Sequence, residues 1–159
     1  IDQHVAHERI LFEQAVDAMN SSSLTSQSLL FPNTIKLTPE RFNVLSDVYI
    51  YLKKIGFNIR EFGVNTIIVE GVPLETKAGS ESSIINEILD IYLDHGKTSA
   101  DFIDIIAASY SCKAAIKAGE FLEPIERQKL INNLFATKHP YYCPHGRPVI
   151  IKLEIRIYI

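Results

Sequence analysis

The feature that most constrains the fold is the apolar periodicity of the first twenty residues, IDQHVAHERILFEQAVDAMN. Residues three and four apart share a face of a helix, and an apolar stripe at that spacing is formed by Leu11, Phe12, Ala15, Val16 and Met19. Extending the stripe backwards by four and three residues leads to Glu8 and then to His4. The sequence therefore predicts a helix to about Asn20 with a carboxylate and an imidazole on its buried face.

This polar pair on an apolar face has two interpretations. A buried carboxylate costs free energy unless it is paired or binds a metal, so His4 and Glu8 are either a satisfied core pair or metal ligands. Asp2 directly precedes the predicted helix, where Asp is a favoured N-cap residue. The order of residues in HVAHE excludes the H-E-x-x-H helix of zinc proteases.

Charge and cysteine content exclude several classes of protein. The chain has 159 residues, a net charge of −3 and two cysteines, with a pI of about 6.0. This charge is not typical of a domain that binds DNA by electrostatics alone, and two cysteines do not make a disulfide scaffold. A reduced cytosolic protein is favoured. No apolar run reaches the roughly 20 residues of a membrane span, and the start at Ile1, inside a motif, suggests a piece of a longer protein.

The order of predicted elements indicates an α+β chain with two subdomains. Residues 29–97 would form an external β-α-β-β-α unit, preceded by the Ser/Thr-rich linker SSSLTSQS at 21–28. Its first strand is NTIKL, and its first helix has Phe42, Leu45, Tyr49 and Leu52 at helical spacing. Residues 1–28 and 98–159 would form a discontinuous subdomain of helices on a sheet.

Caps and turns predict the element boundaries of the external unit. Thr38 with Pro39 suits a helix start, and Gly56 suits its end. A tight turn near residues 63–65 would join the next two strands. Ser82 or Ser83 would cap the last helix.

The second half of the chain has a different character. SADFIDIIAASYSCKAAIKAG is apolar on nearly all sides and predicts a buried helix, while LEPIERQKLINNLFATKHP is amphipathic. VIIKLEIRIYI alternates, which predicts a long half-buried strand with one face formed by Ile151, Leu153, Ile155, Ile157 and Ile159.

Two further segments carry candidate metal ligands. Cys112, in SCKAAIKAG, is by itself typical of a small buried hydrophobic residue. In CPHGRP, Cys143 and His145 lie two apart in a turn rich in Pro and Gly, which suits either a tetrahedral metal or a tight turn with incidental Cys and His. Together the three segments supply oxygen, nitrogen and sulfur donors, enough for two four-coordinate ions if one ligand bridges.

These segments carry a resemblance. DQHVAHERILFE resembles the endonuclease motif of the MutL family of DNA mismatch-repair proteins, which reads Asp-Gln-His-Ala, two residues, Glu, four residues, Glu. Val5 stands where the family has Ala. SCKAAIKAG and CPHGRP resemble the other two site motifs of the family's C-terminal domain, in the expected order. The resemblance covers essentially the whole chain and implies a dimerisation subdomain, from 1–28 and 98–159, around an external subdomain.

The resemblance implies a metal-dependent endonuclease that nicks DNA. The metal ligands that it implies are Asp2, His4, Glu8, Cys112, Cys143 and His145. Thiolates favour Zn²⁺, and carboxylates suit Mn²⁺ or Mg²⁺, so Cys112, Cys143 and His145 are assigned to a zinc-like site. Asp2 and Glu8 are assigned to the catalytic ion, with Glu8 as the bridge. Arg147 would contact phosphate or form a salt bridge with Glu13, and the salt bridge is favoured slightly.

The resemblance also implies partners. QSLLFP matches the sliding-clamp pattern of bacterial MutL proteins through Gln27, Leu30 and Pro32, although residues 29–31 could instead pack into the external subdomain as a strand. A homodimer, weak contact with double-stranded DNA and a place in the bacterial cytoplasm at the nucleoid are expected, with no membrane partner. The ATP-binding region and the contact with a mismatch-recognition protein would belong to the full-length parent.

Two rival functions remain open at this point. One is a non-catalytic dimerisation module in which zinc only stabilises the fold. The other is a different metallohydrolase, such as a peptidase, with fortuitous overlap of motifs. Absence of nicking with the metal intact would support the first rival, and hydrolysis of peptides but not of plasmid would support the second.

Overall fold

The structure is a computed structural model, and it describes residues 1–77, 79–96 and 101–152. Helices and a small sheet alternate along the chain, as expected for the predicted α+β class. The elements are α1 (Gln3–Asn20), β1 (Ser26–Lys36), α2 (Pro39–Ile55), β2 (Asn58–Glu61), β3 (Thr66–Pro73), α3 (Glu81–His95), α4 (Phe102–Ala114) and α5 (Pro124–Phe135).

The three strands form one antiparallel sheet in the order β1-β3-β2. β3 is central and carries Gly71, where a Cβ atom would lie 2.7 Å from the Ser26 hydroxyl, so the strands approach too closely for a side chain. β1 begins at Ser26 and not at Asn33. The prediction of a linker through Ser28 was therefore wrong at its end, because pairing with β3 orders residues that have weak strand preference of their own.

Helix ends follow the predicted caps in the first two helices. The Asp2 carboxylate accepts a hydrogen bond from the Val5 amide at the start of α1. Thr38 and Pro39 begin α2, and Gly56 ends it in the left-handed conformation at φ +111°. The N-cap of α3 is Ser80, so the assignment to Ser82 or Ser83 was wrong by one turn or less.

One hydrophobic core connects residues from α1 to α4. Leu11 and Met19 of α1 and Tyr110 of α4 belong to the same cluster as the buried side chains of the sheet, α2 and α3. The predicted stripe of α2 was wrong at Tyr49, which is 37% exposed; Val48 is buried in its place. The division of the chain at residues 28 and 97 stays a prediction.

A second, smaller cluster positions the end of the described chain against α1. It contains Val5, Ala6, Ile10, Leu134, Cys143 and Val149. Leu134 is the buried residue that α5 contributes. Residues 149–152 are not part of a strand, which differs from the predicted terminal strand, and the rest of that strand, 153–159, lies outside the described residues, as does the predicted boundary at 97 and 98. Within the described ranges, no helix has the length and apolarity needed to cross a membrane.

Candidate metal centre

The centre is built around Glu8, in the second turn of α1. Its side chain is fully buried. Its Oε2 atom lies 2.8 Å from a terminal nitrogen of Arg147, and its Oε1 atom lies 3.0 Å from Nδ1 of His145. The contact with His145 is close but lacks the alignment of a hydrogen bond, so Oε1 is a buried oxygen without a hydrogen-bond partner among the described residues. Such an oxygen is open to a further positive group.

The predicted CPHGRP turn is a short hairpin. The Cys143 amide donates to the Arg147 carbonyl at 2.9 Å, and the Gly146 amide donates to the Cys143 carbonyl at 2.9 Å. Gly146 has φ +79°, a conformation that side chains other than glycine rarely adopt. One residue further out on each side, an antiparallel bridge joins Tyr142 to Pro148. The hairpin backbone therefore holds its tip in one shape.

Helix α1 holds this hairpin at its base. The Asp2 amide donates to the Val149 carbonyl at 3.0 Å, and the buried Arg9 guanidinium donates to the Tyr142 carbonyl. Glu13 forms an ion pair with Arg9 at 3.6 Å. Glu13 also accepts hydrogen bonds from the backbone amides of the segment that enters the hairpin, at 138 and 139.

These anchors bring the predicted ligands of two distant segments together. One donor atom each from Glu8, Cys143 and His145 lies within 4.8 Å of the other two. Carboxylate, thiolate and imidazole are all ligands of Zn²⁺. A fully buried carboxylate with an oxygen that lacks a hydrogen-bond partner suits cation binding better than a purely structural role in the core. The donor set therefore fits a metal ion.

Cys112 lies on the α4 side of the same carboxylate. Burial raises the pKa of the Cys112 thiol, and the neighbouring Glu8 charge raises it further. A thiol in this position is protonated at neutral pH, whereas a bound cation favours the thiolate. Cys112 and Cys143 therefore do not lie on opposite sides of the domain, although Cys112 is outside the group of three.

His4 and Asp2 have other partners. The His4 Nδ1 atom lies 2.7 Å from the Ile116 carbonyl; a carbonyl only accepts, so Nδ1 carries a proton, and in the neutral imidazole the lone pair is on Nε2. This arrangement is common in metal-ligating histidines. Asp2 caps α1 with one oxygen and is exposed. His4 and Glu8 do not contact each other in the way that a core pair would, and neither His4 nor Asp2 belongs to the group of three.

The predicted partner of Arg147 was wrong. Arg147 does not pair with Glu13; it pairs with Glu8. Glu13 instead forms an ion pair with Arg9. The hairpin places Arg147 beside Glu8, five residues before Glu13 on α1.

Arg9 and His7 were missed by the sequence reasoning. Arg9 and Glu13 are four apart on a helix, a spacing that itself indicates an ion pair. His7 accepts a hydrogen bond at Nδ1 from the Ile116 amide, at 3.0 Å, and burial lowers its pKa although the Glu75 charge opposes this. His4 thus contacts the backbone carbonyl of Ile116 and His7 its backbone amide. These residues are too far apart in sequence for any local pattern to reveal the contacts.

The predicted clamp segment lies in β1, away from the Glu8 cluster. Ser28 pairs with Gly71, and the next pair joins Asn33 to Val69, so residues 29–32 bulge out of the sheet. Leu30 and Phe31 are 87% and 82% exposed, whereas Leu29 packs against the core. The alternative that residues 29–31 pack inside as a strand is therefore wrong for Leu30 and Phe31.

Comparison with known proteins adds an independent finding. A family model described as "MutL C terminal dimerisation domain" matches residues 1–122. The DNA mismatch repair protein MutL of Pelodictyon phaeoclathratiforme is 49% identical over 156 residues, which is 98% of this chain and 25% of that protein. The proteins of the same name from Chlorobium limicola and Chlorobaculum tepidum are each 46% identical with the same coverage. The chain thus spans about a quarter of the length of these relatives.

Proposed function

The chain belongs to the MutL C-terminal dimerisation domain family, and on that premise we propose that it is a metal-dependent endonuclease domain. In this proposal it nicks double-stranded DNA during mismatch repair, in the bacterial cytoplasm at the nucleoid, and pairs with a second copy of itself. The contact with a mismatch-recognition protein and the ATP-binding region would belong to the full-length parent.

The observation that carries the proposal is the burial of Glu8 beside Cys143 and His145. A structural role alone does not require a thiol and an imidazole within 4.8 Å of a fully buried carboxylate. A protein that only dimerises would be expected to fill this position with an apolar side chain, since replacing buried charges by apolar groups is often neutral or stabilising.

The donor types assign the residues to their roles. Cys143 and His145, with Cys112 close by, would hold Zn²⁺, because thiolate and imidazole are its preferred ligands. Glu8 would bridge to a second ion, Mn²⁺ or Mg²⁺, to which Asp2 would contribute a further oxygen and His4 an imidazole nitrogen. When bound, such ions supply an activated water and stabilise the charge of the attacked phosphate and the leaving oxygen.

The family description and the exposed apolar side chains support a homodimer. Phe121, which precedes α5, and Ile125, in its first turn, are 75% and 79% exposed, and Tyr141, Tyr142 and Ile151 are also exposed. Exposed apolar patches are typical of association sites, so these side chains are candidates for the interface.

The test of the proposed activity uses the full-length protein on supercoiled plasmid. We expect nicking in Mn²⁺ that stops when a chelator removes the metal, together with about one bound Zn²⁺ or more per chain after purification. Metal content without nicking would favour the non-catalytic zinc-stabilised module. Hydrolysis of peptides but not of plasmid would favour the peptidase.

We propose further that the bulge at residues 29–32 docks on the replicative sliding clamp. Leu30 and Phe31 present apolar surface without any need to unfold β1, and Gln27 can donate hydrogen bonds at the rim of a groove. With a net charge of −3, the chain has no strong electrostatic attraction to DNA. Binding to a clamp on DNA would instead raise its effective concentration there.

Replacing Gln27 and Pro32 together by Ala is expected to remove most of the stimulation of nicking by the clamp. The physical reason is that a short motif binds weakly, so losing two of its contacts leaves little affinity. Basal nicking without the clamp should not change, because the bulge lies on the sheet and not at Glu8. The matched control is Val64→Ala, which alters an 84% exposed apolar residue in another turn; stimulation that survives Q27A/P32A would contradict the docking proposal.

A further inference from the structure

The Arg147 side chain lies beside two of the three candidate ligands, Glu8 and Cys143. Its guanidinium lies 2.8 Å from Oε2 of Glu8, and the neighbouring Cys143 side chain, together with the Glu8 charge, raises its pKa. A cation that binds Oε2 of Glu8 together with Cys143 would compete with Arg147 for the same oxygen. Arg147 therefore lies beside the candidate ligands with a charge of the same sign as the metal.

The two partners of this ion pair differ in their freedom to move. Glu8 is fully buried, whereas 50% of the Arg147 side chain is exposed. The Arg147 carbonyl accepts a hydrogen bond from the Cys143 amide at 2.9 Å, so its backbone is held while the long side chain can turn toward solvent. A buried carboxylate in a helix cannot turn in this way, so Arg147 is the group that gives way.

We propose that Arg147 is an internal counter-ion that a divalent cation displaces from Glu8, and that the displaced guanidinium then binds a DNA phosphate. In the absence of metal, Arg147 neutralises the buried carboxylate and keeps the hairpin closed on α1. With metal bound, the cation takes over this charge, and the guanidinium is left beside it at the protein surface. Its planar donors match two oxygens of a phosphate.

This inference rests on the proposed metal site and adds a coupling to it. Because one side chain serves Glu8 or phosphate but not both, loading of the metal and binding of DNA favour each other. The alternative is that Arg147 stays on Oε2 and orients Glu8 while the ion binds Oε1. In that case Arg147 would be a positioning residue, and its removal would weaken metal binding.

The two arrangements predict opposite effects of Arg147→Gln on metal affinity. Titration of the full-length protein with Zn²⁺ against a chromogenic chelator should give binding at least about tenfold tighter than in wild type, because the competing charge is gone. The melting temperature without metal should fall, and the rise on adding Zn²⁺ should exceed that of wild type. Arg147→Lys, which keeps a competing charge, should return the affinity toward the wild-type value.

Lys138→Gln is the matched control. Lys138 is an exposed cation in the segment that leads into the same hairpin, but it pairs with Asp17. Its metal affinity should equal that of wild type. Unchanged or weaker Zn²⁺ binding by Arg147→Gln would overturn displacement. Metal affinity is measured independently of nicking. Wild-type protein that binds Zn²⁺ tightly but never nicks plasmid would contradict the proposed function. The comparison of Zn²⁺ affinities would still decide this inference.

The phosphate step has its own measurement. Binding of a fluorescent DNA duplex to wild-type protein should tighten when Mn²⁺ is added, in a nuclease-resistant duplex that prevents cleavage. In Arg147→Gln and Arg147→Lys this tightening should shrink severalfold, because glutamine has no charge and lysine lacks the planar pair of donors. Equal tightening in all three proteins would overturn the transfer of Arg147 to phosphate.

Discussion

Glu8→Gln in the full-length protein is expected to abolish Mn²⁺-dependent nicking of supercoiled plasmid while the fold and the dimer persist. Glutamine has nearly the shape of glutamate and still accepts a hydrogen bond from Arg147, but it lacks the charge that binds a cation. The loss should exceed the roughly 10- to 100-fold that removing a supporting contact of a metal ligand costs. Bound metal, plasmid nicking and dimer mass are the three measurements.

The structure decides which substitution is informative at this position. Glu8→Lys would bury a cation against Arg147 and His145, which already lie within 3.0 Å of the carboxylate, and the chain would lose stability together with activity. Asp2→Asn is a suitable companion, because Asn caps a helix as well as Asp does but lacks the charge of a catalytic ligand. We expect it to lower nicking without shifting the melting temperature.

Asp17→Asn is the control for both variants. Asp17 is exposed on the same helix and pairs with Lys138 at 3.3 Å, so the variant removes the same charge without touching the cluster. It should nick as wild type does. Full activity in Glu8→Gln would remove Glu8 from the mechanism, and loss of the dimer along with activity would make its role structural.

Ile88→Ala is expected to lower the free energy of unfolding by about 2–5 kcal/mol, the usual cost of truncating a large buried aliphatic side chain. Ile88 of α3 is 0% exposed and lies in the cluster that joins α1 to α4. Urea unfolding followed by circular dichroism and by tyrosine fluorescence measures the effect. Because the cluster is continuous, both signals should shift together in one transition.

Ile50→Ala is the matched control, since Ile50 is 49% exposed on α2. It should change the free energy of unfolding by only about 0.5 kcal/mol. Two separate transitions, with Ile88→Ala moving one of them, would show that the predicted external subdomain unfolds by itself. Equal effects of the two variants would contradict the placement of Ile88 in the core.

Local chemistry made much of the fold predictable. Hydrogen bonds and backbone angles within a few residues explain the effects of the Asp2 and Thr38 caps, Pro39 and Gly56. These effects can therefore be predicted from the sequence. The position of Glu8 on the buried face was predictable for the same reason, because helical spacing alone places it in line with Leu11 and Ala15. The family motifs could be recognised in the sequence as short patterns of residue types.

Tertiary contacts decided what surrounds that carboxylate. Glu8 and Arg147 are 139 residues apart, and no local pattern distinguishes Glu8 from Glu13 as the partner of Arg147. The choice depends on where the hairpin lies on α1, which Arg9 and Glu13 determine through backbone groups of residues 138–142.

The same division applies to the sheet and the clamp segment. Sequence patterns predicted two strands joined by a turn near residues 63–65, and the structure has them at 58–61 and 66–73, but the extension of β1 to Ser26 depends on hydrogen bonds to β3. The bulge that exposes Leu30 and Phe31 arises because four residues of β1 lie opposite one residue of β3. Periodicity and caps are properties of neighbouring residues and can be inferred from the sequence, whereas register, bulges and the pairing of buried charges are set by segments that meet only when the chain is folded.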